Sequence, residues 1–171
     1  IDDVLRTVST AIGIDLANYK PHTLIRRLER RILTTGHPGM GAYLGTLAES
    51  ASEAAALRRE LMIPVTAFFR DQDAFDDLAT QVIHPTLKAA CARPQASFRA
   101  WVVGCATGQE AYTLAIQVHE ALRAIGGEAD IKIFATDIEP SYLDRASAGR
   151  YAARLIEHLP EELRQRYFDQ V

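Results

Sequence analysis

The chain has 171 residues, 48% of them apolar, enough to build one full domain or two small ones around a real core. A net charge of −3 argues against general nucleic-acid binding, and two cysteines without paired Cys or His spacing (Cys91, Cys105) fit a reducing compartment better than a disulfide framework or metal centre. No apolar run approaches the roughly 20 residues that span a bilayer and no signal-peptide pattern opens the chain, so the reading is a soluble cytoplasmic protein without direct membrane insertion.

The first 90 or so residues read as helical. Leu5, Val8 and Ile12 recur at helical spacing and Gly13 offers a stop. Pro21 suits the first turn of a second helix running to about Thr35, with Leu24, Leu28 and Ile32 on its apolar face and Gly36 after it. Gly41 to Leu47 and Glu53 to Met62 suggest two more. Pro64 then breaks the pattern, and Val65 to Asp71 reads as an apolar linker. Asp71 suits an N-cap for a helix containing Phe75, Leu78 and Val82, which Pro85 is expected to kink or end. The expected division is therefore a helical domain with its linker over residues 1–70 and a second domain over residues 71–171.

The stretch from Cys91 to Ser97, with Pro94 and several small residues, marks a change of regime. After it the pattern predicts a strand (Phe98 to Val103), an amphipathic helix (Glu110 to Ile125), a Gly126-Gly127 turn and a second strand (Ile131 to Thr136). Helices over Pro140 to Ala148 and Pro160 to Phe168 follow. This βαβα order implies parallel strands joined by a right-handed crossover. Two parallel strands are half a doubly wound sheet at best, so the expectation is a piece of a larger domain, or a sheet completed by a second copy in a dimer.

Gly104-Cys105-Ala106-Thr107-Gly108-Gln109-Glu110 joins the first strand to its helix. Small residues there let ligand atoms approach the backbone, as in nucleotide-binding folds, although an ordinary strand-to-helix turn uses the same residues. Asp137 ends the second strand. Its two oxygens suit ribose hydroxyls, or it caps the next helix. Glu110 suits a cationic ligand group, or it complements the helix dipole. Arg26, Arg27, Arg30 and Arg31 form two neighbouring ridges on the second helix, expected to lie mostly outward. They either meet an acidic partner or form a solvated face. Phe68-Phe69 beside Thr66 and Arg70 reads as a core plug between subdomains or an aromatic wall over a ligand, with Arg70 offering a fork to a carboxylate.

Together, Tyr19-Lys20, the Arg26–Arg31 run, Pro64 to Asp71, Gly104 to Tyr112 and Phe134 to Ile138 resemble the CheR-type chemotaxis receptor methyltransferases over nearly the whole chain, in wording like that of fused CheB/CheR proteins. That resemblance implies an all-α N-terminal domain followed by an α/β Rossmann-like S-adenosylmethionine-dependent methyltransferase domain, here incomplete. The implied reaction methylates glutamate side chains on cytoplasmic chemoreceptor helices, giving glutamate methyl esters and S-adenosylhomocysteine. Carried over by motif, Thr66, Arg70, Gly104, Ala106, Gly108, Glu110 and Asp137 line the cofactor site, with Arg70 also the catalytic candidate. Arg26, Arg27, Arg30 and Arg31 would read the receptor. Gln109 departs from the family's usual glutamate, and its later strands, further adenine contacts and receptor-tail subdomain have no counterpart before Val171. A chain of this extent is expected to be inactive or weakly active by itself. The alternative reading is a non-catalytic receptor-binding module that keeps the basic helix. A nicotinamide oxidoreductase is disfavoured because the loop lacks the third glycine position.

Overall fold

The computed structural model describes residues 2–62 and 64–171, which divide into compact units at residues 63 and 64. In the first unit α1 (Asp2–Ile12), α2 (Pro21–Thr35), α3 (Met40–Glu49) and α4 (Ala51–Leu61) follow the apolar periodicity. Pro21 opens α2, where its missing N–H is no loss, and Ser50 caps α4 by accepting the Glu53 N–H at 3.2 Å. Val8, Ile12, Leu24, Leu28, Ile32, Tyr43, Leu47, Leu57 and Leu61 form one buried core, the 3.6-residue pattern of each helix turned inward.

The second unit begins with residues 64–70, expected as a linker, which form a strap belonging to this unit. α5 (Gln72–Leu78) runs through a π-helical turn (Ala79–Ile83) into α6 (His84–Cys91). Pro85 thus does not end the helix. The His84 N–H reaches back to the Ala79 carbonyl, and the widened turn accommodates a proline that would otherwise break the α ladder. Asp71 occupies the N-cap position without a side-chain cap bond. Its backbone carbonyl accepts from Ala74 and Phe75 instead, with φ at 56°.

β1 (Ser97–Val103) and β2 (Asp130–Thr136) pair in parallel, Ser97 opposite Asp130 and Val103 opposite Thr136, with α7 (Gln109–Ile125) as the crossover. α8 (Pro140–Ala148), a 3₁₀ turn (Ala153–Leu155) and α9 (Glu161–Tyr167) complete the unit. Phe98 and Val102 pack with Ile83, Leu87, Leu114, Val118 and Leu122 on one face of the sheet. The opposite face is open, with Trp101 67%, Val103 68% and Phe134 57% exposed. No helix among the described residues is long and apolar enough to cross a membrane.

Candidate functional site

The carboxyl ends of β1 and β2 carry the loop that the sequence singles out. Gly104 and Cys105 both donate to the Thr136 carbonyl, at 2.8 and 2.9 Å, and Ala106 N–H donates to Asp137 Oδ2 at 2.8 Å. Gly108 N–H donates to the Cys105 carbonyl. These four backbone donors are therefore committed within the protein, and the loop is not the open anion cradle its glycines suggest. Gly104, Ala106 and Gly108 all take positive φ, at 71°, 48° and 96°. Gly104 is exposed with open space where a Cβ would sit, whereas a Cβ on Gly108 would lie 2.7 Å from Tyr151 Oη and 2.8 Å from Ala146 Cβ. Gly108 thus serves close packing, and Gly104 presents backbone to solvent.

Asp137 is half-buried and held by both oxygens, Oδ2 by Ala106 and Oδ1 by the Glu139 N–H at 2.9 Å. Each oxygen keeps a second lone pair free to accept a hydroxyl. Glu110 is exposed in the first turn of α7. Among the described residues neither carboxylate forms an ion pair with Lys, Arg or His. Burial, followed by the charge of Asp137 and then that of Glu110, raises the Cys105 thiol, so both charges are felt at the loop.

The strap carries Thr66, half-buried, and Arg70, whose side chain is 51% exposed. Arg70 donates to the Val65 carbonyl and lies 3.8 Å from Asp71, which leaves further guanidinium donors for a ligand. Phe68 is 1% exposed, with edge-to-face contacts to Tyr151 at 4.9 Å and Phe168 at 5.2 Å between ring centroids. Phe68 is therefore a core plug, leaving Thr66 and Arg70 as the strap's polar groups. The Phe69 N–H donates to the buried Thr113 hydroxyl at 3.0 Å, and His158 donates to the Phe68 carbonyl at 3.0 Å. Gln109, where the resemblance leads one to expect glutamate, is 5% exposed and accepts from Thr107 Oγ1 at 2.7 Å. A neutral amide suits that buried place better than a charge. Sequence reasoning misses Thr113 and Tyr151 and reads His158 only as a structural or surface residue, because nothing in their spacing marks long-range partners of a strap.

On α2 the four arginines part company. Arg26 and Arg30 are exposed and, with Thr34, Glu60 and half-buried Arg27, line an open groove. Arg27 and Arg31 turn toward α4 instead of outward. Arg27 donates to the Glu60 carbonyl at 2.6 Å, and Arg31 forks onto both Glu53 oxygens at 2.8 and 2.9 Å. The two positions lie on the flank of the buried Leu24–Leu28–Ile32 stripe, within reach of the acidic residues of α4.

Residues 64–171 match the SAM-binding domain of CheR methyltransferases, and residues 1–62 match the CheR all-alpha domain. The chain belongs to the CheR methyltransferase family. It is similar to chemotaxis protein methyltransferases of Listeria innocua (32% identical, covering 95% of this chain and 59% of the relative) and Salmonella typhimurium (32%, 91% and 51%). It is also 41% identical over 96% of its length to 17% of an uncharacterized 104.1 kDa protein of Rhodobacter capsulatus. The chain thus spans little more than half the length of these CheR methyltransferases.

The CheR domain implies S-adenosyl-L-methionine as cofactor, and the donor set fits that group. Asp137 offers oriented lone pairs to ribose hydroxyls, while unpaired Glu110 suits an ammonium or sulfonium charge. A dinucleotide's diphosphate would instead meet two carboxylates and a loop of which four backbone donors are already in use.

Proposed function

We propose that this chain forms one wall of an S-adenosylmethionine site in an enzyme that methylates glutamate carboxylates on chemoreceptor helices. The observation that carries the reading is Asp137 pinned at the tip of β2 by two backbone N–H groups, one of them from Ala106 in the loop that leads into unpaired Glu110 of α7. In this reading Asp137 takes the ribose, Glu110 the methionine ammonium, and Thr66 with the backbone of Gly104 and Ala106 completes the wall. Arg70 forks onto a carboxylate, that of the methionine or of the acceptor glutamate.

When bound, the cofactor supplies a methyl group already activated on a sulfonium. The acceptor carboxylate is ionised at neutral pH, so no general base is required. The residues of this chain contribute alignment of the acceptor oxygen with the methyl–sulfur bond, and exclusion of water from charges that neutralise as the ester forms. The exposed Arg26 and Arg30 ridge suits an acidic receptor helix, with Arg27 and Arg31 of the same helix tying it to α4.

Titration calorimetry with S-adenosylhomocysteine tests the cofactor half. Binding that Asp137→Ala abolishes is the expected result, and a silent titration of the unmodified chain would sink it. The same Arg26 and Arg30 ridge favours a second reading, a receptor-binding module without catalysis. That reading takes over if an acidic receptor-helix peptide binds, loses affinity in R26E/R30E, and no cofactor product binds at all.

A further inference from the structure

Tyr151 lies in none of the motifs that point to the cofactor, yet it touches both sides of the site. Its hydroxyl donates to the Thr107 carbonyl at 2.7 Å, inside the loop between β1 and α7. Its ring meets Phe68 of the strap edge-to-face at 4.9 Å and Tyr112 of α7 at 5.8 Å. The absence of a Cβ on Gly108 is what lets the hydroxyl approach, since that Cβ would stand 2.7 Å from Tyr151 Oη. Burial first, then Tyr112, pushes the hydroxyl up to about 12, so it remains a proton donor across ordinary pH.

A second connection runs parallel to this one through buried side chains. Phe69 N–H donates to Thr113 Oγ1, which donates to the Gln109 carbonyl at 2.8 Å, while Thr107 Oγ1 donates to Gln109 Oε1. The two connections meet at Thr107. One side chain, Tyr151, therefore spans from the strap that carries Thr66 and Arg70 to the loop that leads into Glu110.

We propose that Tyr151 is a positioning residue of the cofactor site, setting the separation between the strap and the loop that grip the methionine end of the ligand. It touches no ligand in this account. The inference rests on the cofactor reading above and adds a residue that neither the motifs nor the family match assigns. Asp137 is held directly by Ala106 and Glu139 and not by Tyr151, so the ribose end of the site has anchors of its own.

Those separate anchors supply the test. Binding of S-adenosylhomocysteine and of adenosine is measured by calorimetry on the 171-residue chain and on Y151F, Y151L and D137A, with thermal melts as a check on folding. Y151F, which keeps the ring and removes one hydrogen bond, is expected to weaken S-adenosylhomocysteine binding about three- to tenfold while leaving adenosine unchanged. Y151L, which also loses the ring contact to Phe68, weakens it further, and D137A weakens both ligands. Equal losses of both ligands in Y151F would mean a merely structural tyrosine and overturn the proposal. So would S-adenosylhomocysteine binding unchanged in both Tyr151 variants while D137A loses it. If D137A binds both ligands like the unmodified chain, the cofactor reading itself fails and takes this inference with it.

Discussion

Asp137 accepts the Ala106 N–H at 2.8 Å across 31 residues of sequence, so the acidic tip of β2 and the positive-φ loop after β1 form one mechanical unit. On the proposed cofactor reading, the carboxylate offered to a ribose is the same group that holds the loop's shape. Binding and local stability are therefore coupled at this residue.

Asp137→Ala is expected to destabilise the second unit by about 1–2 kcal/mol even without ligand, because the Ala106 and Glu139 N–H groups both lose their acceptor. Asp137→Asn keeps one acceptor but turns a donor toward the other N–H, and should recover less than half of the loss. Urea melts followed by circular dichroism measure both.

Two glycines of one loop should respond unequally. Gly104→Ala faces open space and bears only the strain of its φ of 71°, about 1 kcal/mol. Gly108→Ala adds a collision with Tyr151 Oη and the backbone of Ala146, and should cost about 3 kcal/mol or prevent folding. Comparable melting temperatures for the two variants would contradict the packing described for Gly108.

The arginine helix offers a similar contrast. Arg31→Ala strands Glu53, whose side chain is only 15% exposed, and should cost about 2 kcal/mol. Arg30→Ala removes a 3.8 Å contact from a guanidinium that is 80% exposed and should stay within about 0.5 kcal/mol. If the ridge docks an acidic receptor helix as proposed, titration with such a peptide should reverse the order, charge reversal at Arg30 costing more affinity than Arg31→Ala.

Acid should expose the same buried pair. Hydrogen bonds from Arg31 hold the Glu53 carboxyl below its ordinary value; partial burial opposes this and Tyr43 adds to it. With the folded value depressed, the stabilisation is full above the unfolded carboxylate value of about 4.3 and fades as pH falls through the folded one. Glu53→Gln should therefore be clearly less stable than the parent at pH 7, and the gap should shrink at pH 3. A gap that persists at low pH would mean that Glu53 acts through packing rather than charge.

Periodicity was enough for α2, whose apolar stripe, opening proline and terminal glycine agree with one another, and for the β1–α7–β2 order, where a change of period marks each element. The loop and Asp137 were legible as a candidate site because small residues at a strand end and an acid at the next strand end are local patterns. Of the two outcomes expected at Pro85, a kink or an end, the end does not occur, because propensity cannot see a π turn that carries the helix past the proline. Arg27 and Arg31 were misplaced because helical spacing gives a ridge but not the carboxylates of another helix that draw it inward.

Local chemistry thus specified which residues are helical, which are extended, and which small and acidic groups cluster in sequence around Gly104 and Asp137. The fold decided which of those groups are free to act. Four loop N–H groups are consumed by Thr136 of β2, Asp137 and the loop's own Cys105 carbonyl, two of four arginines are consumed by α4, and the strap is held by Thr113, Tyr151 and His158. Hydrogen bonds between groups 31 to 90 residues apart leave no periodic trace, because only the folded chain brings donor and acceptor within reach.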